Sequence, residues 1–388
     1  MAINEQVKID SERIDDIPVI VEWLKKMEIA LWIDQKLSPP HGNHEGMSYG
    51  QLSVLLLTYI ITQSDHRLSA VEPWVEAHRK ILELTTGWSI GKKDATDDRL
   101  GRVVEELGLQ SEARQEIEVK LGRHLIRAYE LPTEVARSDT TSFNVNHQQG
   151  ESPEESLLRY GYSKDKRPDL LQYRQLLATL DPMGMPLVSA TLSGNGADDP
   201  LYLPTWQQLV KVIGLQLQIQ QIDDAIKLSQ TLAGWRLYVT NAPTTRLTLP
   251  QAVIYYRDEW LLERGFHHFK RGSLPALPIY FQNEDRITGL MFVLNIALRV
   301  FTLMEFVVRQ ALQLTQQSLA GLYDGNPKRK TNRPSAERML QAFCHLTLYY
   351  LPDSTIFITP LSELQKQILS LMKMPESLYQ LSAESCKT

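Results

Sequence analysis

Tyr256, Glu263 and Lys270 recur at intervals of seven in the stretch YYRDEWLLERGFHHFK. On a helix such residues share one face, with a drift of only about 20° per heptad. His267 joins that face one turn beyond Glu263, while Tyr255, Leu262, Phe266 and Phe269 form the opposite, apolar stripe. A helix pinned by that stripe holds the Glu263 carboxylate outward between a phenol and an ammonium. A second carboxylate, Asp139, stands in EVARSDTTSFNV at the end of a predicted strand, from which it can project rigidly. One carboxylate on a sheet and one on a helix suit phosphodiester chemistry. Divalent ions about 3.5–4 Å apart would activate the attacking hydroxyl and stabilise the leaving oxygen. Lys270 and Tyr256 would hold phosphate oxygens and position the strand. Spacing alone is equally compatible with a solvated helix face, and Asp before Thr is also a common turn or cap pattern.

The elements that must position these groups are legible along the chain. Up to about residue 130 the pattern is helical, with periodic segments at Ile17 to Met27, Gly50 to Gln63 and Asp97 to Leu107. After Leu131 and Pro132 the strand EVARSDTTSFNV is followed by two apolar runs, LLQYRQLLATLD and PLVSATLSG, which the turn DPMGMP joins as a hairpin. A helix is expected from near Leu203, with Asp198 and Asp199 as caps at its entry. WRLYVTNAP reads as a further strand, and a long amphipathic helix runs from about Leu249 to Lys270, with Pro250 in its first turn. The expected architecture is mixed α/β: a helical domain over 1–130, a core over 131–281, and a helical region over 282–388.

Ile287 to Val308 is apolar enough to imitate a membrane span, but Asn295, Arg299, Thr302, Glu305 and Arg309 give it a polar stripe. Arg alone costs about 2.5–3.5 kcal/mol at a bilayer centre. A buried core helix is therefore expected, with no membrane partner. The two cysteines, Cys344 and Cys386, are too far apart in sequence to suggest a disulfide framework, and the polar N-terminus has no signal-peptide pattern, so a cytoplasmic location is expected. The net charge of −5 lacks the basic footprint of a protein that grips DNA. Local patches are present all the same: Lys328, Arg329, Lys330 and Arg333 in NPKRKTNRP, and Lys164, Lys166 and Arg167 in YSKDKRPD. Solvated loops are the plainer reading of both.

Taken together, these segments resemble the DDE transposases of bacterial insertion sequences that carry a Y-(2)-R-(3)-E-(6)-K signature. Tyr256, Glu263 and Lys270 match its Y, E and K. VARSDTTS resembles the strand of the first catalytic aspartate, and GYSKDKRPDLLQ and LDPMGMPLVSATLSGNGADDPLYLPT the segments after it. GWRLYVTNAP, ALRVFTLMEFVVRQ and AGLYDGNPKRKTNRPSAERML resemble the C-terminal half, and SERIDDIP and DHRLSAVEPW the N-terminal domain. The resemblance implies an RNase H-like core and a chain that cuts transposon ends and joins them to target DNA. It places Asp139 and Glu263 as catalytic, metal-binding residues for Mg²⁺ or Mn²⁺, and Tyr256, Lys270, Lys328, Arg329 and Lys330 as DNA contacts. It also implies a nucleoid-associated protein, acting as a homo-oligomer or with an intact transposase.

Two departures matter. The position of the signature arginine, three after Tyr256, holds Glu259. More seriously, an active member has a second aspartate on a fourth strand that ends in a Gly-Asp turn, followed by a large strand-rich insertion. Here VIGLQLQIQQIDDAIKLSQ runs directly into GWRLYVTNAP. Asp223 and Asp224 could follow a strand, but they match the region just after the missing block. The expectation is thus a transposase impaired by an internal deletion, with an incomplete sheet; the alternative is a non-catalytic DNA-binding remnant or an inhibitor of an intact transposase.

Overall fold

A computed structural model describes residues 10–39, 46–148, 154–162, 164–214, 248, 251, 260–351 and 355–380. The chain opens with a short strand, β1 (Asp10–Arg13), and seven helices: α1 (Ile17–Lys26), α2 (Ile29–Lys36), α3 (Tyr49–Gln63), α4 (Val71–Ala77), α5 (Arg79–Thr86), α6 (Asp97–Leu109) and α7 (Ser111–Tyr129). Local chemistry sets several of their starts. Ser48 and Gln51 form a capping box at α3, so two of the orphan amide groups there are satisfied. Asp97 and Asp98 place negative charge at the positive end of α6.

Three antiparallel strands follow, β2 (Ala136–Val145), β3 (Leu171–Leu180) and β4 (Met185–Ser193), ordered β2-β3-β4. The expected hairpin is β3–β4. Gly184, with φ +69°, supplies the left-handed residue of its turn, and Arg137 on β2 is paired with Asp181 at 2.6 Å across it. All ten residues of β3 are buried, as befits a central strand covered on both faces. The helix α8 (Tyr202–Ile213) comes next and stops at Gly214, whose φ of +84° suits a C-terminal cap. WRLYVTNAP, Asp223 and Asp224 lie outside the described residues, as does most of the long helix expected from Leu249. Its C-terminal part is α9 (Trp260–Lys270).

The longest element is α10 (Glu284–Leu314), with Asn283 accepting the Arg286 amide at 3.0 Å as its cap. It is the one helix among the described residues long and apolar enough to cross a membrane, and 94% of its apolar window is buried inside the fold. It packs on α3, α6 and β4. Its polar stripe is not a solvent face. Asn295, Arg299, Thr302 and Glu305 are all buried. Asn295 and Thr302 donate back to Met291 and Leu298 carbonyls, at 2.6 and 2.9 Å, and Arg299 reaches Glu118 of α7 at 3.2 Å and the Leu187 carbonyl at 2.9 Å. Burying a polar group is costly, and these bonds offset part of that cost.

Beyond α10 lie β5 (Leu319–Ala320), β6 (Lys330–Thr331), α11 (Ala336–Gln341), β7 (Thr347–Tyr350), β8 (Ile356–Ile358) and α12 (Glu363–Leu371). The C-terminal region is therefore not purely helical, and neither is the N-terminal one, because β1 pairs antiparallel with β7 in a sheet ordered β1-β7-β8. Strands of two to four residues are too short for an alternating pattern to show in sequence. Buried apolar residues from Ile14 to Tyr379 form one continuous core.

Candidate active site

Side chains alternate across a strand, so partners opposite one another share a face. Asp139 is opposite Leu177, and Phe143 is opposite Tyr173. On that face Phe143 stacks on Tyr173 with ring centroids 5.1 Å apart, and Leu177 lies close enough to Gly265 of α9 for an added Cβ to meet it at 3.3 Å. The register therefore aims Asp139 at the side of the sheet that carries α9. Asp139 is not at the strand end as expected. TTSFNV continues β2 for six further residues.

The expected division of α9 holds for its described residues. Leu262, Phe266 and Phe269 are buried, whereas Glu263 and His267 are exposed. On the inner side His268 lies 3.1 Å from Glu337 of α11. Burial pushes the Glu337 carboxyl up, but His268 and the Ser273 hydroxyl outweigh it and bring its pKa down to about 2. Arg264 pairs with Glu305 of α10, which also holds Arg309 at 2.9 Å. Helix α9 is thus fixed at both neighbours. Tyr256 lies outside the described residues.

The loop after residue 163 joins strand to helix through charge. Lys164 approaches Asp139 at 3.4 Å and donates to the Thr140 carbonyl. Its neighbour Asp165 accepts from Lys270 at 3.0 Å and from Asn144 at 3.3 Å. Lys270 also lies 5.6 Å from the centroid of the Phe143 ring. Reading the KDKR run as an isolated basic patch missed this cross-pairing; its only sequence signal is the alternation of charge. Arg167 is likewise paired, with Asp169 at 2.7 Å. Glu263 has no ion pair or side-chain hydrogen bond among the described residues.

The expected caps turn out differently. Asp198 occupies the position before a short turn of helix, yet its side chain makes no cap bond. It accepts instead from the Thr140 hydroxyl at 2.8 Å and from Arg174 at 2.7 Å. Both donors alternate with Asp139 and Leu177 along their strands, so Asp198 is held on the opposite face of the sheet from Asp139. It braces β2 to β3 and is not a second carboxylate for Asp139. Burial, together with the carboxylates of Asp198, Asp199 and Asp139, holds the Tyr202 phenol above its ordinary value.

These donors do not by themselves make a site for Mg²⁺ or Mn²⁺. Among the described residues no three His, Cys, Asp or Glu side chains gather as a metal-ligand group, and Asp139 faces an ammonium. A hard divalent cation needs several oxygen ligands. On α9 the cations Arg264 and Lys270 are already paired, with Glu305 and Asp165, and exposed basic groups lie elsewhere. Lys328, Arg329 and Lys330 are exposed on the loop before α11 and at β6. Arg329 and Arg338 both lie over the Tyr323 ring there, with guanidinium carbons 3.9 and 4.5 Å from its centroid. The stack orders part of a basic loop that sequence could only describe as charged. Compared with family models, with curated proteins and with solved structures, the chain matches none.

Proposed function

We propose that this chain is an insertion-sequence transposase of the DDE type, impaired by an internal deletion, which holds DNA without cutting it efficiently. The observation that carries this reading is the register of β2. It aims Asp139 at the side of the sheet that carries α9, the helix whose exposed face bears Glu263 and whose Lys270 pairs with Asp165 beside β2. A helix fixed on a sheet, each bearing a carboxylate, is the framework on which phosphodiester chemistry with divalent metals can be built. In an RNase H-like core the fourth strand neighbours the first. Residues 215–247, where that strand would fall, lie outside the described residues. The resemblance accounts for only two of the three carboxylates, Asp139 and Glu263, so no metal-dependent step is assigned. DNA contact by Lys270 and the Lys328–Lys330 loop is the activity left, either alone or beside an intact copy of the enzyme.

The test is preference for the DNA bordering the chain's own gene. Fluorescence anisotropy should give tighter binding to that duplex than to an unrelated one of equal length. Equal affinity for both would contradict a transposon-end reader.

A related outcome concerns Asp165, which occupies the Lys270 ammonium. Removing its charge in Asp165→Asn should free Lys270 for phosphate and tighten DNA binding about 1.5- to 5-fold, the range of an exposed ion pair. Unchanged or weaker binding would show that Lys270 does not meet the backbone.

A further inference from the structure

Lys120, Arg123, His124 and Arg127 lie on one stripe of α7, at i, i+3, i+4 and i+7. The stripe borders a cleft of about 460 Å³ whose other wall is formed by Trp32 and Glu28. The three cations among them, Lys120, Arg123 and Arg127, stand out in a chain of net charge −5. Most of it is not neutralised. Lys120 and Arg127 are exposed and make no ion pair within 4 Å among the described residues, with Lys120 in electrostatic reach of Glu116. Glu116, at the head of the stripe, is already taken by Lys36 at 2.6 Å. Glu28 is the one carboxylate lining the cleft, and it stands 3.6 Å from His124.

The stripe is held in a fixed shape. Arg123 donates to the Lys211 carbonyl at the end of α8, at 2.6 and 3.0 Å, and the His124 ring bonds the Lys26 carbonyl at 2.7 Å, with Trp32 packed at a centroid distance of 6.4 Å. Lys120 and Arg127, seven residues apart, are separated by roughly 10 Å along the helix axis. Cations strung out in a line match a polyanion. A free phosphate would need them to converge on one point.

We propose that the cleft between α2 and α7 is a second DNA-binding surface, one that follows the phosphate backbone of a duplex. This rests on the DNA-binding reading above, but it concerns a different face of the molecule from α9 and the Lys328 loop. Each neutralised phosphate contributes about −0.9 to the slope of log affinity against log salt.

The experiment measures that slope for the full chain and for the double variant Lys120→Gln/Arg127→Gln, using a 30-base-pair duplex. Both side chains are exposed and bear no structural bonds, so the variant is expected to fold, as circular dichroism would verify. The expected result is a slope shallower by about 1.8, two phosphates' worth, with weaker binding that the charge-preserving Lys120→Arg/Arg127→Lys restores. A wild-type chain that binds DNA with the same slope and affinity as the double variant would overturn the cleft while leaving the α9 surface standing. Loss of binding to an acidic peptide with DNA binding unchanged would also overturn it, in favour of a protein partner. A wild-type chain that binds no DNA would remove both proposals together.

Discussion

At pH 8, replacing Glu118 by Leu is expected to lower the folding free energy by about 3–5 kcal/mol, the cost of leaving a buried charge without its partner. Glu118 and Arg299 are 2% and 0% exposed, respectively. The carboxylate accepts from the Ser189 amide at 2.9 Å, its hydroxyl at 2.7 Å, and Arg299 at 3.2 Å, tying α7, β4 and α10 together. The double change Glu118→Leu/Arg299→Met removes both charges and should recover most of the loss. Urea denaturation of the three proteins measures this, and a single variant within about 1 kcal/mol of wild type would show that the pair is dispensable.

The same pair carries a pH signature. Burial pushes the Glu118 carboxyl up to about 7, against the pull of Arg299 and Ser189. A carboxyl whose folded pKa lies above its unfolded value of 4.5 contributes stability that is fully present below pH 4.5 and is lost as pH rises through 7. Glu12 and Asp16, also raised to about 7 by burial, act in the same direction. Their contribution is common to wild type and Glu118→Gln, so the difference between the two curves isolates Glu118. That difference should change between pH 4.5 and 7 and be flat below. A flat difference throughout would mean that Glu118 does not titrate in this window.

Gly289→Ala should be nearly as damaging. A Cβ there would overlap the Val104 carbonyl, and one at Gly108 would overlap the Asp285 carbonyl. Helices α6 and α10 therefore cross with backbone against backbone, where no side chain can give way. A loss at the top of the 1–3 kcal/mol typical of overpacking, about 3 kcal/mol, is expected. Gly265→Ala is the control. Its Cβ would meet only the Leu177 and Leu298 methyls, at 3.3 and 3.4 Å, and alanine favours a helix over glycine by about 1 kcal/mol. It should be neutral or slightly stabilising. Equal thermal midpoints for the two variants would refute close backbone contact as the reason for Gly289.

How much of this was written in the sequence depends on the range of the interaction. The β3–β4 hairpin was legible because its turn residues and its flanking apolar runs are local. So was the inner stripe of α9, since Leu262, Phe266 and Phe269 repeat with the helical period. What failed needed partners distant in sequence. Asp198 resembled a cap by position, but its side chain turned to Arg174 and Thr140, which only the folded sheet brings near. The buried helix α10 was legible with its polar stripe, but the partner of that stripe was not, because Glu118 lies far up the chain. Lys164 and Asp165 were legible as charges but not as the partners of Asp139 and Lys270. The short strands β1 and β7 find one another across almost the whole chain.

On the function proposed above, the chain would still grip the DNA of its own element but lack a complete cutting centre. The most direct measurement incubates labelled duplex from the gene's own borders with purified, folded protein and Mg²⁺ or Mn²⁺, and reads bound and cut DNA from the same reaction. A salt-sensitive complex is expected, with cut product no greater than for Asp139→Ala and Glu263→Ala. Cleavage by the wild-type chain that both substitutions abolish would contradict it, as would the absence of any complex.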